Sequence, residues 1–356
     1  MALEDLLDGK RIVICAGPGG VGKTTTSAAV ATGMAMRGHR VAVVTIDPAR
    51  RLADALGLDR LDDQPRRVDP ARFPGMEGEL HALMLDSKRT FDSLIERVAP
   101  DARSRDEVFE NRIYQELSSA VAGSQEFTAL AKIYELDKTG GFDLLVLDTP
   151  PSRNALDFLD APDRLTGFLQ GRAVRMFLRP AGIGGRIVGA GTGVVFAALK
   201  KATGVGLLDD LSTFFRALGG MIPELAERGA HVKQLLSSPQ TTFLLVTSLE
   251  REPVDETVYF YEHLRELQLP FGAAVVNKVR PLVPDTVPPR DLDPELAGKV
   301  ARAAEEASLL GERDAEGLAR LRKALNDPTV IAIPQLPGDV ADLEGLAHVV
   351  EYLFGE

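Results

Sequence analysis

The sequence predicts an α/β fold, a mostly parallel sheet with helices on both faces and a helical insertion, and three observations predict it. Short runs rich in Val, Ile and Leu recur along the chain, segments with helical patterning fall between them, and the strand pattern stops between Pro162 and Ser238 before it resumes. Runs that are apolar throughout suit strands covered on both faces, and their alternation with helices is the pattern of a parallel sheet.

In chain order, the first run, 11–17, passes through a glycine-rich stretch into a helix expected over 23–37. Runs at 40–48 and 79–86 follow, and a helix is expected over 87–98. Over 124–138 Ser124 can cap a helix whose apolar face reads Phe127, Leu130, Ala131 and Tyr134, and Gly140-Gly141 ends it. Strands at 142–150, 241–249, 271–279 and 329–336 alternate with helices at 253–267, 294–325 and 341–354. The stretch 162–238 is glycine-rich with apolar clusters and reads as a helical insertion, so 1–161 and 239–356 together form the predicted sheet domain. Its most apolar part, 187–199, is bracketed by Arg186 and Lys200 and is shorter than the roughly 18–20 residues a membrane span needs.

Composition narrows the function. Charged residues make up 26% and hydrophobic ones 45%, enough for a packed core. The net charge of −11 argues against nucleic acid as a partner. One cysteine, Cys15, leaves neither a disulfide framework nor a CxxC pair, and the five histidines are scattered, so zinc is not expected. The acidic start, MALEDLLDGKR, has no signal-peptide layout, which predicts a cytoplasmic protein.

The chemistry lies at strand ends. Residues 17–24, GPGGVGKT, fit the phosphate-loop pattern between a strand and a helix. Gly17, Pro18, Gly19, Gly20, Val21 and Gly22 supply the wrapping backbone, with Thr25 beside them on the helix. Lys23 neutralises phosphate charge and Thr24 offers a hydroxyl to Mg²⁺. The fold class is therefore a P-loop NTPase sheet whose loop takes a nucleotide's phosphates with Mg²⁺. Asp148 ends an apolar run, where a carboxylate can hold the metal. Asp47 and Asp54 follow the second strand and suit a metal-linked acid and a water-activating base, although Asp54 can equally be an exposed helix residue. Asn277 and Lys278 end another strand; an Asn amide there can read a base edge or serve a turn.

These segments, in this order, resemble the arsenite-pump (ArsA-type) ATPase family, which includes the guided-entry ATPase for tail-anchored proteins. The resemblance covers nearly the whole chain. It rests on GPGGVGKTTT, DPARRLADAL, DTPPSRNALDFL, VVNK and IPQLPGDVADLEGL. It implies Mg²⁺-ATP hydrolysis that opens and closes a homo- or heterodimer, with a protein client or partner subunit bound by the insertion. It also implies Lys23, Asp54 and Asp148 as catalytic residues, Thr24, Asp47 and Asp148 on the metal side, and Asn277 and Pro334 on the adenine side. The chain departs from the family at Pro18, where deviant members carry a lysine that reaches the partner's phosphates. It departs again at Arg50-Arg51, in place of His-Asn, and at Arg153-Asn154, in place of Gly-His. Arg50, Arg51 or Arg153 is therefore a candidate for the missing charge. Val194, Val195, Phe196 and Leu199, with Phe214, Phe215, Leu218 and Met221, form either a client groove or the insertion's own core. The competing readings are a weakly active or inactive nucleotide-binding scaffold paired with a related ATPase, a positioning ATPase, and a small-molecule ligase or kinase on the same fold. The acidic C-terminal stretch disfavours membrane or DNA attachment and so the positioning ATPase.

Overall fold

All seven apolar runs are strands in the computed structural model, which describes residues 3–47, 51–112, 114–115, 125–149, 167, 171, 210, 213–217, 219–282, 293–326, 328–336, 338, 340 and 342–355. They are β1 (Ile12–Ala16), β2 (Arg40–Thr45), β4 (Glu79–Met84), β5 (Leu144–Asp148), β6 (Thr241–Thr247), β7 (Phe271–Val279) and β8 (Val330–Pro334). A two-residue strand, β3 (Arg66–Arg67), adds an antiparallel edge to β4, and every other pairing is parallel. The order β3-β4-β2-β5-β1-β6-β7-β8 puts β1 and β5 at the centre, where every residue is buried. Burial on both faces explains why these strands show no polar alternation.

The chain divides into two compact units. The first comprises Met1–Met84, Leu136–Leu156 and Leu236–Glu356, and it contains the whole sheet. Its helices include α1 (Leu3–Leu7), α2 (Lys23–Met36) and α3 (Arg51–Ala55). The second comprises Leu85–Glu135 and Asp157–Leu235, and so draws on 85–135 as well as on the stretch read as an insertion. There α4 (Ser87–Val98) and α5 (Ala102–Phe109) contribute Phe91, Leu94, Ile95, Val98 and Val108 to a core shared with Phe214, Phe215, Met221 and Leu225. Phe214, Phe215 and Met221 thus line that core, whereas Val194, Val195, Phe196, Leu199 and Leu218, with the rest of 187–199, lie outside the described residues. Two helices run across the division of the chain, α6 (Gln125–Thr139) and α7 (Ile222–Leu236). The buried face of α6 is Ala129, Leu130, Ile133 and Leu136, while Tyr134 is half-buried and stacks on His231.

The remaining helices of the first unit are α8 (Arg251–Glu266), α9 (Pro294–Ala324) and α10 (Leu343–Phe354). α8 starts two residues before Pro253, because a proline in the first turn forfeits no helical hydrogen bond. α10 starts at Leu343 rather than at Ala341, since the Asp342 carboxylate accepts from the Gly345 amide at 2.8 Å and caps it. Small residues along α2 let it lie close to the sheet and to α10: the Phe354 ring fills the space where a Cβ on Gly33 would stand, and the Arg37 guanidinium lies 4.2 Å from the ring centre. Among the described residues no helix is long and apolar enough to cross a membrane.

Candidate functional site

The loop from β1 to α2 must turn sharply and bring its backbone close to other chain. Gly17 has φ 148°, and a Cβ there would collide with the Val246 carbonyl oxygen. Gly22 has φ 98°, and a Cβ would collide with the Asn277 amide, so neither position accepts a side chain. Gly22 is also the N-cap residue of α2, a 14-residue helix, so the free amides and positive end of that helix face the loop.

A cavity of about 670 Å³ opens in front of the loop, within the first unit. Of the residues singled out from sequence, Gly20, Gly22, Lys23, Thr24, Thr25, Asp47, Asp54, Asn277 and Pro334 line it. Gly17, Pro18 and Val21 are buried behind this wall, and Gly19 is exposed on the loop. Arg51 also lines the cavity; Arg50 and Arg153 lie outside the described residues.

Behind Thr24 sits Asp148. β5 runs between β1 and β2 in register, so Asp148 stands opposite both Cys15 and Thr45. One carboxylate oxygen, Oδ2, accepts from the Thr24 and Thr45 hydroxyls, each at 2.8 Å. The other, Oδ1, is buried without a hydrogen-bond partner. Burial pushes the carboxyl up to about 6 from its ordinary 3.8, against the two hydroxyl bonds and nearby Lys23, which hold it down. A buried polar atom without a partner is costly, and this one is a hard oxygen beside a threonine hydroxyl, the donor chemistry magnesium takes. Among the described residues no group of three or more His, Cys, Asp or Glu could hold a metal ion.

Lys23 is 6% exposed and folds back so that its ammonium donates to the Pro18 carbonyl at 2.7 Å. Burial lowers its pKa, while Asp148 and Asp47 favour its charge. Cys15, on β1, is pushed up to about 12 by burial and is an inert thiol. Asp47 is tied to the end of β2, its amide donating to Thr45 Oγ1 at 3.2 Å, and its Oδ2 lies 3.5 Å from the Arg51 guanidinium. Arg51 is 67% exposed, so this pair contributes on the order of 0–1 kcal/mol and exchanges readily. Asp54 lies on α3 one turn after Arg51, and the two reach the cavity from one helix face.

Asn277 lines the cavity and also bonds the loop. Its amide donates to the Val21 carbonyl at 3.0 Å, and its oxygen accepts from the Lys278 amide at 2.9 Å. Lys278 adopts φ 60° and its ammonium reaches the Gly20 carbonyl at 3.3 Å. Arg280 is fixed to α9 through Asp314, a 5% exposed carboxylate that accepts from the Arg280 amide at 2.8 Å and pairs with its guanidinium at 3.4 Å. The end of β7 therefore clamps the phosphate loop. Sequence reasoning gave Thr45 and Asp314 no part in the site. A threonine two residues before Asp47, at a third strand end, was the available signal for Thr45, and Asp314 had none.

A family model for anion-transporting ATPases matches residues 10–354. The ATPase get3 of Schizosaccharomyces japonicus is 25% identical over 356 residues, 99% of this chain and 95% of that protein. GET3 of Malassezia globosa is 26% identical over 360 residues, covering 99% and 93%, and ATPase BagA of Mycobacterium tuberculosis is 27% identical over 316 residues, covering 85% and 74%. A match of that extent, over a chain whose parallel sheet carries the phosphate loop between β1 and α2, means that the chain belongs to the anion-transporting ATPase family and is an ATP-hydrolysing enzyme.

Proposed function

We propose that the cavity binds ATP with Mg²⁺, hydrolyses it, and uses the nucleotide state to reshape a surface that holds a protein client or partner subunit. The observation that carries the reading is Asp148 Oδ1, a buried carboxylate oxygen without a partner, directly behind Thr24 of the phosphate loop. Mg²⁺, when bound, supplies neutralisation of phosphate charge. Thr24 and Asp148 hold it, with Asp47 on the outer side.

The chain's own groups do the rest. Amides of the loop and the α2 terminus receive the β-phosphate, and Lys23 leaves the Pro18 carbonyl for the phosphate oxygens. Asp54 accepts a proton from the attacking water. The water oxygen bonds to the γ-phosphorus, the bond from that phosphorus to the bridging oxygen breaks, and the electron pair leaves with ADP. Pro334, Gln335, Leu336, Gly338 and Val340 also line the cavity, and the adenine lies against them. Asn277 keeps the loop in shape from below. The partner role and a nucleotide-closed dimer rest on the family resemblance of the DPARRLADAL and DTPPSRNALDFL segments.

The test is turnover and solution mass of the purified protein with ATP and with ADP, beside Lys23→Ala. Turnover that vanishes in the variant, with a mass that rises in ATP, supports the reading. ATP bound without hydrolysis points to the scaffold alternative, and a mass indifferent to nucleotide removes the closing dimer.

A further inference from the structure

We propose that Arg51 is a catalytic residue: the guanidinium that leaves Asp47 to stabilise the charge developing on the γ-phosphate. The inference rests on the ATPase reading of the cavity and goes beyond it.

Three cations line the described cavity, Lys23, Arg51 and Lys278. Lys23 is buried at the base of the loop. Lys278 bonds the Gly20 carbonyl at 3.3 Å and lies at the end of β7, away from the helix that carries Asp54. Residues 17–24 contribute no other cation, because their second position is Pro18. A transferring phosphoryl group spreads charge over three equatorial oxygens, and a cation from outside the loop adds to what Lys23 and a bound metal neutralise.

Arg51 meets this need on geometry. Its side chain is largely exposed, it stands on the cavity wall, and its partner Asp47 is a contact of 3.5 Å that a more negative group can take over. Arg51 and Asp54 are three residues apart on α3, so one short helix presents the cation for the phosphate and the carboxylate for the water together. The planar guanidinium can grip two phosphate oxygens at once, which an ammonium cannot. Asp47 holds Arg51 ready while the cavity is empty.

The experiment compares wild type, Arg51→Ala, Arg51→Lys and Lys23→Ala as full chains of equal thermal midpoint. Turnover is measured together with the affinity for ADP alone and for ADP with aluminium fluoride, a mimic of the phosphoryl group in flight. For Arg51→Ala the expected result is a loss in kcat on the order of 10³-fold. ADP affinity should stay within about threefold, with loss of most of the extra affinity that aluminium fluoride gives wild type. Arg51→Lys should recover part of both. Unchanged turnover in Arg51→Ala overturns the inference and leaves the ATPase reading intact. So does an equal loss of ADP affinity and turnover, since Arg51 then holds the ground state. A wild-type protein that turns over no faster than Lys23→Ala overturns the ATPase reading and this inference with it.

Discussion

Replacing Asp148 by Asn tests whether burial of its charge shapes the stability of the site. In wild type the folded-state pKa is raised from 3.8 to about 6, so the folded protein holds this proton more tightly than the unfolded chain does. The stabilising effect of that proton is present at low pH and is lost as pH rises from about 4 to about 6, after which the loss is complete. A shift of roughly two units corresponds to about 3 kcal/mol, most of which falls between pH 4 and pH 8. Asn keeps an oxygen for the Thr24 and Thr45 hydroxyls but has no charge to desolvate. Its new amide costs up to ~3 kcal/mol at every pH, so the sign of the change at any single pH is not diagnostic. The diagnostic quantity is the difference between variant and wild type at pH 8 minus that at pH 4, in which other titrating groups cancel. Urea unfolding in EDTA without nucleotide should give a relative gain for Asp148→Asn of about 2 kcal/mol or more at the higher pH. A pH-independent difference would refute the argument from burial.

Three further outcomes follow from packing. Gly22→Ala combines a φ of 98° with a collision against the Asn277 amide, so ATP affinity should fall at least tenfold, on the order of the strain of 1–3 kcal/mol, while circular dichroism stays native. Gly33→Ala drives a methyl into the Phe354 ring and should cost about 1–3 kcal/mol in denaturant unfolding, with partial recovery on adding Phe354→Leu. Phe214→Ala leaves a hole among Phe215, Tyr114 and Met221; a loss of about 3–5 kcal/mol should appear as faster proteolysis within 85–135.

The parts of the site that lie in one stretch of chain were legible in the sequence. The phosphate loop needs glycines at fixed spacing between a strand and a helix, and both neighbours carry their own patterns, so Gly17 to Thr25 could be read directly. Asp148, Asp47 and Asn277 were legible as strand ends, because in a parallel sheet those ends share an edge. What each side chain does there was not, since it depends on strand order. β5 comes after β2 and β4 in the chain yet lies between β2 and β1, and only that order brings Thr45 to Asp148. That the Asn277 amide bonds the loop depends on the approach of Gly22, far away in sequence. The packing of Phe214 with Phe91 likewise joins stretches with no shared pattern.

The double registration of Asp148 has a consequence for how a correctly made molecule is recognised. Its position is set twice, against Cys15 on one side and Thr45 on the other. A slip of one residue in either pairing turns the carboxylate to the opposite face and brings Leu147 or Thr149 to its place. A misassembled sheet would then lack the carboxylate behind Thr24, however intact its glycine loop. On the proposed reading of the cavity, stabilisation by magnesium and ATP would therefore serve as an inspection of the central three strands, one that a preparation can be passed through before its turnover is measured.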